Sequence, residues 1–211
     1  MVIPRRDLNL QIEFQEFLQL FDWKPLLSEF KKTKPTVADI GARNFVFAPI
    51  IDQLLKEHSI EGSIHGIEID AYRLLWGFHT RKDWGEFYAR KARHAIYYPM
   101  DFLLWRTAIH LGFMLNPFVS KEPLLAWGLP MSQLKPEALF NHAFTCLKPH
   151  NGVLILSCPS EEEFELARVL AKAARFTEGQ KTLWKPKEIS IQKKPRYGLV
   201  LYSGLRSGHD S

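Results

Sequence analysis

Short apolar runs and amphipathic helical stretches alternate along most of this chain, and that alternation restricts its fold more than any other feature. Residues 36–40 (Thr-Val-Ala-Asp-Ile) read as a buried strand, 45–58 as a helix and 63–69 as a second strand. Residues 71–93 read as helix, loop, helix. A third strand falls at 94–99 and a fourth at 108–115. A long loop with four prolines spans 117–136, a helix 137–147 and a fifth strand 152–157. A capping box of Ser160 and Glu163 opens a helix that runs to about Phe176. Residues 188–192 and 199–202 then alternate as strands joined across Lys193-Lys194-Pro195-Arg196, which predicts a closing antiparallel hairpin. Strands separated by helices imply a mostly parallel sheet covered on both faces.

Before the first strand, the apolar positions from Phe14 onward follow a helical period, and Pro25 is expected to break that helix. A shorter helix is expected around 26–31. The division expected is a helical extension at 1–34, a main α/β domain at 35–205 and a flexible tail at 206–211. At 211 residues the chain is long enough to bury a full core without staples. Two cysteines, Cys146 and Cys158, make neither a disulfide framework nor a paired zinc site. The longest uncharged run, between Arg106 and Lys121, holds fourteen residues, short of the roughly 20 that span a bilayer. Residues 1–7 lack the apolar core of a signal peptide. The reading is a soluble cytoplasmic protein with no membrane partner.

In parallel sheets of this kind ligands sit at the carboxyl ends of the strands. After the first strand comes Asp39-Ile40-Gly41-Ala42-Arg43. Its glycine permits a tight turn and close approach of a ligand, and the helix that follows favours an anion. The second strand ends His65-Gly66-Ile67-Glu68-Ile69-Asp70. A carboxylate there suits a ribose diol, because it accepts from both hydroxyls; Asp70 is the better candidate for capping the next helix. After the third strand, Asp101-Phe102-Leu103-Leu104-Trp105 sets an acid beside apolar bulk. That pair serves equally as an adenine slot or as an N-cap on a short buried helix.

Taken in order, these segments, with Leu115-Asn116-Pro117-Phe118 and the run from Leu147 to Leu156, resemble the class I S-adenosylmethionine-dependent methyltransferases over residues 35–205. The resemblance implies a three-layer Rossmann-like α/β fold: a mostly parallel seven-stranded sheet with a C-terminal antiparallel hairpin. It implies S-adenosylmethionine as cofactor. Asp39, Gly41, Ala42 and Arg43 would line its methionine part, Glu68 with Ile69 its ribose, and Asp101 with Phe102 its adenine. Asn116, Pro117 and Phe118 would face the transferable methyl and the substrate. They also resemble an Asn-Pro-Pro-aromatic signature of enzymes that methylate amide or adenine nitrogens, without its second proline.

The family's turn is Gly-x-Gly-x-Gly. Here Arg43 and Phe45 stand at its second and third glycines. Either side chain crowds the cofactor, or Arg43 pairs with the cofactor carboxylate. The function expected is therefore methyl transfer to an unknown acceptor, RNA or another nitrogen compound. The alternative is a non-catalytic module of the same fold that binds a protein or RNA. A dehydrogenase is disfavoured, since Gly41 lacks the rest of Gly-x-Gly-x-x-Gly. The net charge of +5 permits a polyanionic partner. Arg81, Lys82, Arg90, Lys91 and Arg93 interleave with Trp84 and Tyr88 as an RNA-contacting candidate. His142, Cys146 and His150 lie four apart, but Pro149 is expected to end their helix first, and no metal is expected.

Overall fold

The computed structural model describes residues 1–188 and 190–204, with Lys32 and Trp76 described by backbone alone; the tail expected at 206–211 lies outside the described residues. Among these, seven strands form one sheet: β1 (Thr36–Ile40), β2 (Ser63–Ile67), β3 (Ala95–Tyr98), β4 (Leu111–Leu115), β5 (Val153–Cys158), β6 (Thr177–Trp184) and β7 (Arg196–Tyr202). Their order is β3-β2-β1-β4-β5-β7-β6. The first five run parallel, and β7 is antiparallel to both β5 and β6. The order reverses between β1 and β4, which opens a crevice at their carboxyl ends.

Among the described residues, seven α-helices accompany the sheet: α1 (Arg5–Leu18), α2 (Trp23–Leu27), α3 (Ala48–Glu57), α4 (Arg81–Ala89), α5 (Lys121–Ala126), α6 (Pro136–Leu147) and α7 (Glu161–Ala173). Successive strand residues point to opposite faces, so each buried strand feeds two cores. Val37, Phe113, Ile155 and Val200 meet α1 to α4 on one face, where Phe14 and Phe17 of α1 share the core with the sheet. Ala38, Met114, Leu156 and Leu199 meet α6 and α7 on the other, through Phe140, Phe144 and Phe164. Each such buried aromatic contributes about 1.5–3 kcal/mol by leaving water. None of the described helices is long and apolar enough to cross a membrane.

The terminal hairpin exists, but its first strand is Thr177–Trp184 rather than 188–192. Instead, Ser190 closes a turn onto Lys187, and Glu13 of α1 accepts the Ile191 and Gln192 amides at 2.5 and 3.3 Å. β6 escapes sequence patterning because it is a polar edge strand, paired on one side only and shifted in register between Glu178 and Lys181. Pro25 lies inside α2, early enough that its missing N–H would have had no helical partner; the chain breaks earlier, at 19–22. The helix expected from 45 starts at Ala48, because Phe45 has φ +57°. The capping box at Ser160 is half present: its hydroxyl accepts from the Glu163 amide, and the helix ends at Ala173. A full box caps α4 instead, between Thr80 and Asp83, so Asp70 is not the cap.

Candidate functional site

The turn after β1 keeps a glycine-type backbone at two positions that are not glycine. Gly41, Arg43 and Phe45 all have positive φ, at +75°, +52° and +57°. Side-chain carbons are disfavoured there, at about 1–2 kcal/mol per residue, so neighbours must hold the turn. Glu68 does so: one carboxylate oxygen accepts the Arg43 amide at 2.8 Å, the other the Asp70 amide at 2.7 Å. The Tyr97 hydroxyl donates to the Arg43 carbonyl at 2.5 Å.

The two replaced glycines have different fates. Phe45 turns into the core and is fully buried, its ring lying where a Cβ on Gly66 would sit at 2.6 Å. Phe45 therefore crowds nothing in the crevice. Arg43 faces the crevice. Its guanidinium lies 4.8 Å from the Trp127 ring centroid, and Arg81 lies 4.7 Å from the same ring. Its buried Nε has no hydrogen-bond partner. Burial and the nearby Arg81 and Arg6 pull its pKa down to about 10. Gly41 leaves open space: nothing lies within 4 Å of a Cβ placed there.

A cavity of about 450 Å³ occupies the crevice. Gly41, Arg43, Glu68, Ile69, Asp101 and Phe102 line it from the ends of β1, β2 and β3, and Asn116, Pro117 and Phe118 from the end of β4. Asp39 and Ala42 are buried behind it. Asp101 accepts the Leu103 amide at 2.9 Å, so it caps the short 3-10 turn there as well as lining the cavity. The Asn116 carboxamide makes no hydrogen bond among the described residues. Trp127, just after α5, and Glu163 and Lys194 also line the cavity. Sequence reading missed these three. Trp127 sits in a proline-punctuated loop with no period to mark it.

Two acids carry unusual energetics. Glu68 is buried, and burial pushes its pKa up against the pull of its two amides and Arg81. Asp39 has one buried oxygen without a partner, and burial, reinforced by Glu68, raises its pKa to about 7. A raised folded-state carboxyl binds a proton that the unfolded chain has already lost. Stability conferred by that proton is complete below about pH 4 and falls as pH rises to about 7. Asp39→Asn should remove this slope. Between pH 4 and 8 its unfolding free energy should change less than that of the parent, by up to about 4 kcal/mol in urea titrations. Equal slopes in the two proteins would refute this account of Asp39.

The basic stretch expected to meet RNA does not form one face. Arg81 is buried, 2.8 Å from Asp70 and 3.8 Å from Glu68, and supports the turn. Lys82 pairs with Glu86 and Arg93 with Asp52. Trp84 and Tyr88 are buried in the core, so neither ring is free to stack on a base. Arg90 and Lys91 remain exposed. Sequence spacing alone does not separate a buried, paired arginine from a solvated one. His142 and Cys146 approach to 3.6 Å, while His150 stacks on His110 at 3.7 Å instead of joining them.

No sequence-family model matches the chain, and no curated protein matches it by sequence. Solved structures do match it in three dimensions. Magnesium protoporphyrin IX methyltransferase from Synechocystis PCC 6803, with bound S-adenosylmethionine, superposes with a TM-score of 0.60 at 10% identity, over 95% of this chain and 85% of that one. A SAM-dependent methyltransferase from Aquifex aeolicus gives 0.57 at 14% identity, over 96% and 100%. One from Methanosarcina mazei gives 0.55 at 13%, over 86% and 98%. The chain has the class I methyltransferase fold. Within that fold, the described cavity lies where the β1 and β4 ends part.

Proposed function

We propose that the chain is an S-adenosylmethionine-dependent methyltransferase acting on a nitrogen acceptor. The observation that carries this reading is the convergence of Gly41, Glu68 and Asp101, from three strand ends, on one cavity of about 450 Å³. The residues present fit the cofactor. Arg43, which lines the cavity, has its Nε buried without a partner beside the turn, a charged donor for the carboxylate of an amino acid. Open space at Gly41 admits the chain beside it. Glu68 takes the ribose hydroxyls on its remaining lone pairs, and Asp101 the adenine amine beside Phe102.

Bound there, the cofactor supplies an electrophilic methyl on a sulfonium centre. The protein's task is alignment and exclusion of water. The Asn116 carboxamide oxygen and the Pro117 carbonyl accept from an acceptor N–H, and the Phe118 ring packs over its planar group. No general base is required while the attacking nitrogen keeps a lone pair. The pairing of Arg81, Lys82 and Arg93 weighs against RNA as acceptor. Two free, buried cysteines suit a cytoplasmic setting.

Titration calorimetry with S-adenosylmethionine, S-adenosylhomocysteine and NAD tests the reading. The first two should bind and NAD should not; binding of NAD alone, or of none, overturns it. Arg43→Gly should weaken S-adenosylhomocysteine about tenfold, the expected loss of a charged hydrogen bond. Binding that appears only in that variant means Arg43 blocks the pocket and the native chain is not an enzyme.

A further inference from the structure

The segment between β4 and α6 meets the turn after β1 through one ring. Helix α5 ends in a Schellman cap. The Gly128 amide donates to the Leu125 carbonyl at 2.9 Å and the Leu129 amide to the Leu124 carbonyl at 3.2 Å, with Gly128 at φ +77°. That cap fixes the backbone from which Trp127 projects. The guanidiniums of Arg81 and Arg43 lie 4.7 and 4.8 Å from the centroid of its ring. Arg73 rests against the next residue: its terminal nitrogens lie 3.5 and 3.6 Å from where a Gly128 Cβ would stand.

The three arginines are not held alike. Asp70 binds Arg73 at 2.5 Å and Arg81 at 2.8 Å, and Glu68 stands 3.8 Å from Arg81. Those two guanidiniums are fixed from the end of β2, and the Trp127–Gly128 corner rests on them. Arg43 forms no ion pair among the described residues. Its Nε is buried without a partner, and Arg81 and Arg6 stand near enough to repel it. The indole face is what attracts its guanidinium. Without the ring, Arg43 keeps the repulsion and loses its seat. Trp127 and Arg43 both line the cavity, one from the segment after β4 and one from the turn after β1.

We propose that Trp127 is a positioning residue: its ring holds the Arg43 guanidinium at the cavity for the cofactor's carboxylate, and so ties the segment after β4 to the cofactor turn. This rests on the cofactor reading above. It adds that a ring outside the first three strand ends sets the affinity for the cofactor's amino-acid part.

Calorimetry with two ligands that differ in that part tests it. S-adenosylhomocysteine carries the carboxylate, and methylthioadenosine has the same nucleoside without the amino acid. Trp127→Leu should weaken S-adenosylhomocysteine about fivefold or more, while methylthioadenosine changes less than about twofold. Trp127→Phe, which keeps an aromatic face, should recover most of the loss. On the Arg43→Gly background Trp127→Leu should cost nothing further, because the group it positions is gone. A ring that only fills space gives the opposite pattern: both ligands weaken together, and the loss repeats without Arg43. Either result overturns the proposal. If parent and Trp127→Leu bind S-adenosylhomocysteine equally, Trp127 has no such role and the cofactor reading stands. If the parent binds neither ligand, the cofactor reading itself falls, and this role with it.

Discussion

Restoring glycine at position 45 should destabilise the protein by about 2–4 kcal/mol, although that position already has a glycine-type backbone. Emptying a buried phenylalanine site costs about 3–5 kcal/mol, and relief of the positive φ returns about 1 of these. The ring fills the space above Gly66 and lies 6.0 Å from Tyr97, so its loss opens a void between the turn and the strand beside it. Arg43→Gly makes the same backbone change without emptying the core, and should shift the urea midpoint little. Parallel urea titrations of the two variants make the comparison. A Phe45→Gly protein as stable as its parent would mean that the ring contributes nothing to the core.

Glu68→Ala should act on both turn and ligand. Its carboxylate holds the Arg43 and Asp70 amides, and removal strands both donors and leaves Arg81 with Asp70 alone. Under the proposed reading, S-adenosylhomocysteine binding should weaken ten- to a hundredfold, at about 1.5–3 kcal/mol for hydrogen bonds to a charged group. The unfolding free energy should also fall by about 1–3 kcal/mol, since two amides lose their acceptor. Calorimetry and denaturation on one preparation separate these effects. An unchanged dissociation constant removes Glu68 from the ribose.

What the chain reveals before folding follows from where each segment lies in the sheet. β1, β2, β4 and β5 are legible because parallel interior strands are apolar on both faces; β3, an edge strand paired with β2 alone, is legible only by its apolar run Ala95–Tyr98. β6 is illegible for the opposite reason: it is an edge with Gly179, Lys181 and Glu178 and one partner. Gly41, Glu68 and Asp101 stand out because strand ends bear ligands in any sheet of this kind. Arg81 misleads, because its partner Asp70 lies eleven residues away and only the folded loop brings them to 2.8 Å. The fate of Phe45 is equally hidden, since it depends on a glycine in the neighbouring strand.

The anchoring of α1 has a consequence for biosynthesis. Its Glu13 takes the amide of Ile191, 178 residues away, and its Glu16 takes Trp184 and Lys187. On a ribosome making about 5–20 residues per second, the first helix waits roughly ten to thirty-five seconds for those partners. Through that interval α1 lacks those contacts to its two carboxylates, although Phe14 can meet its core neighbours Phe47 and Phe113 sooner. The bonds that tie α1 to Trp184 and Ile191 are therefore among the last in the fold to form.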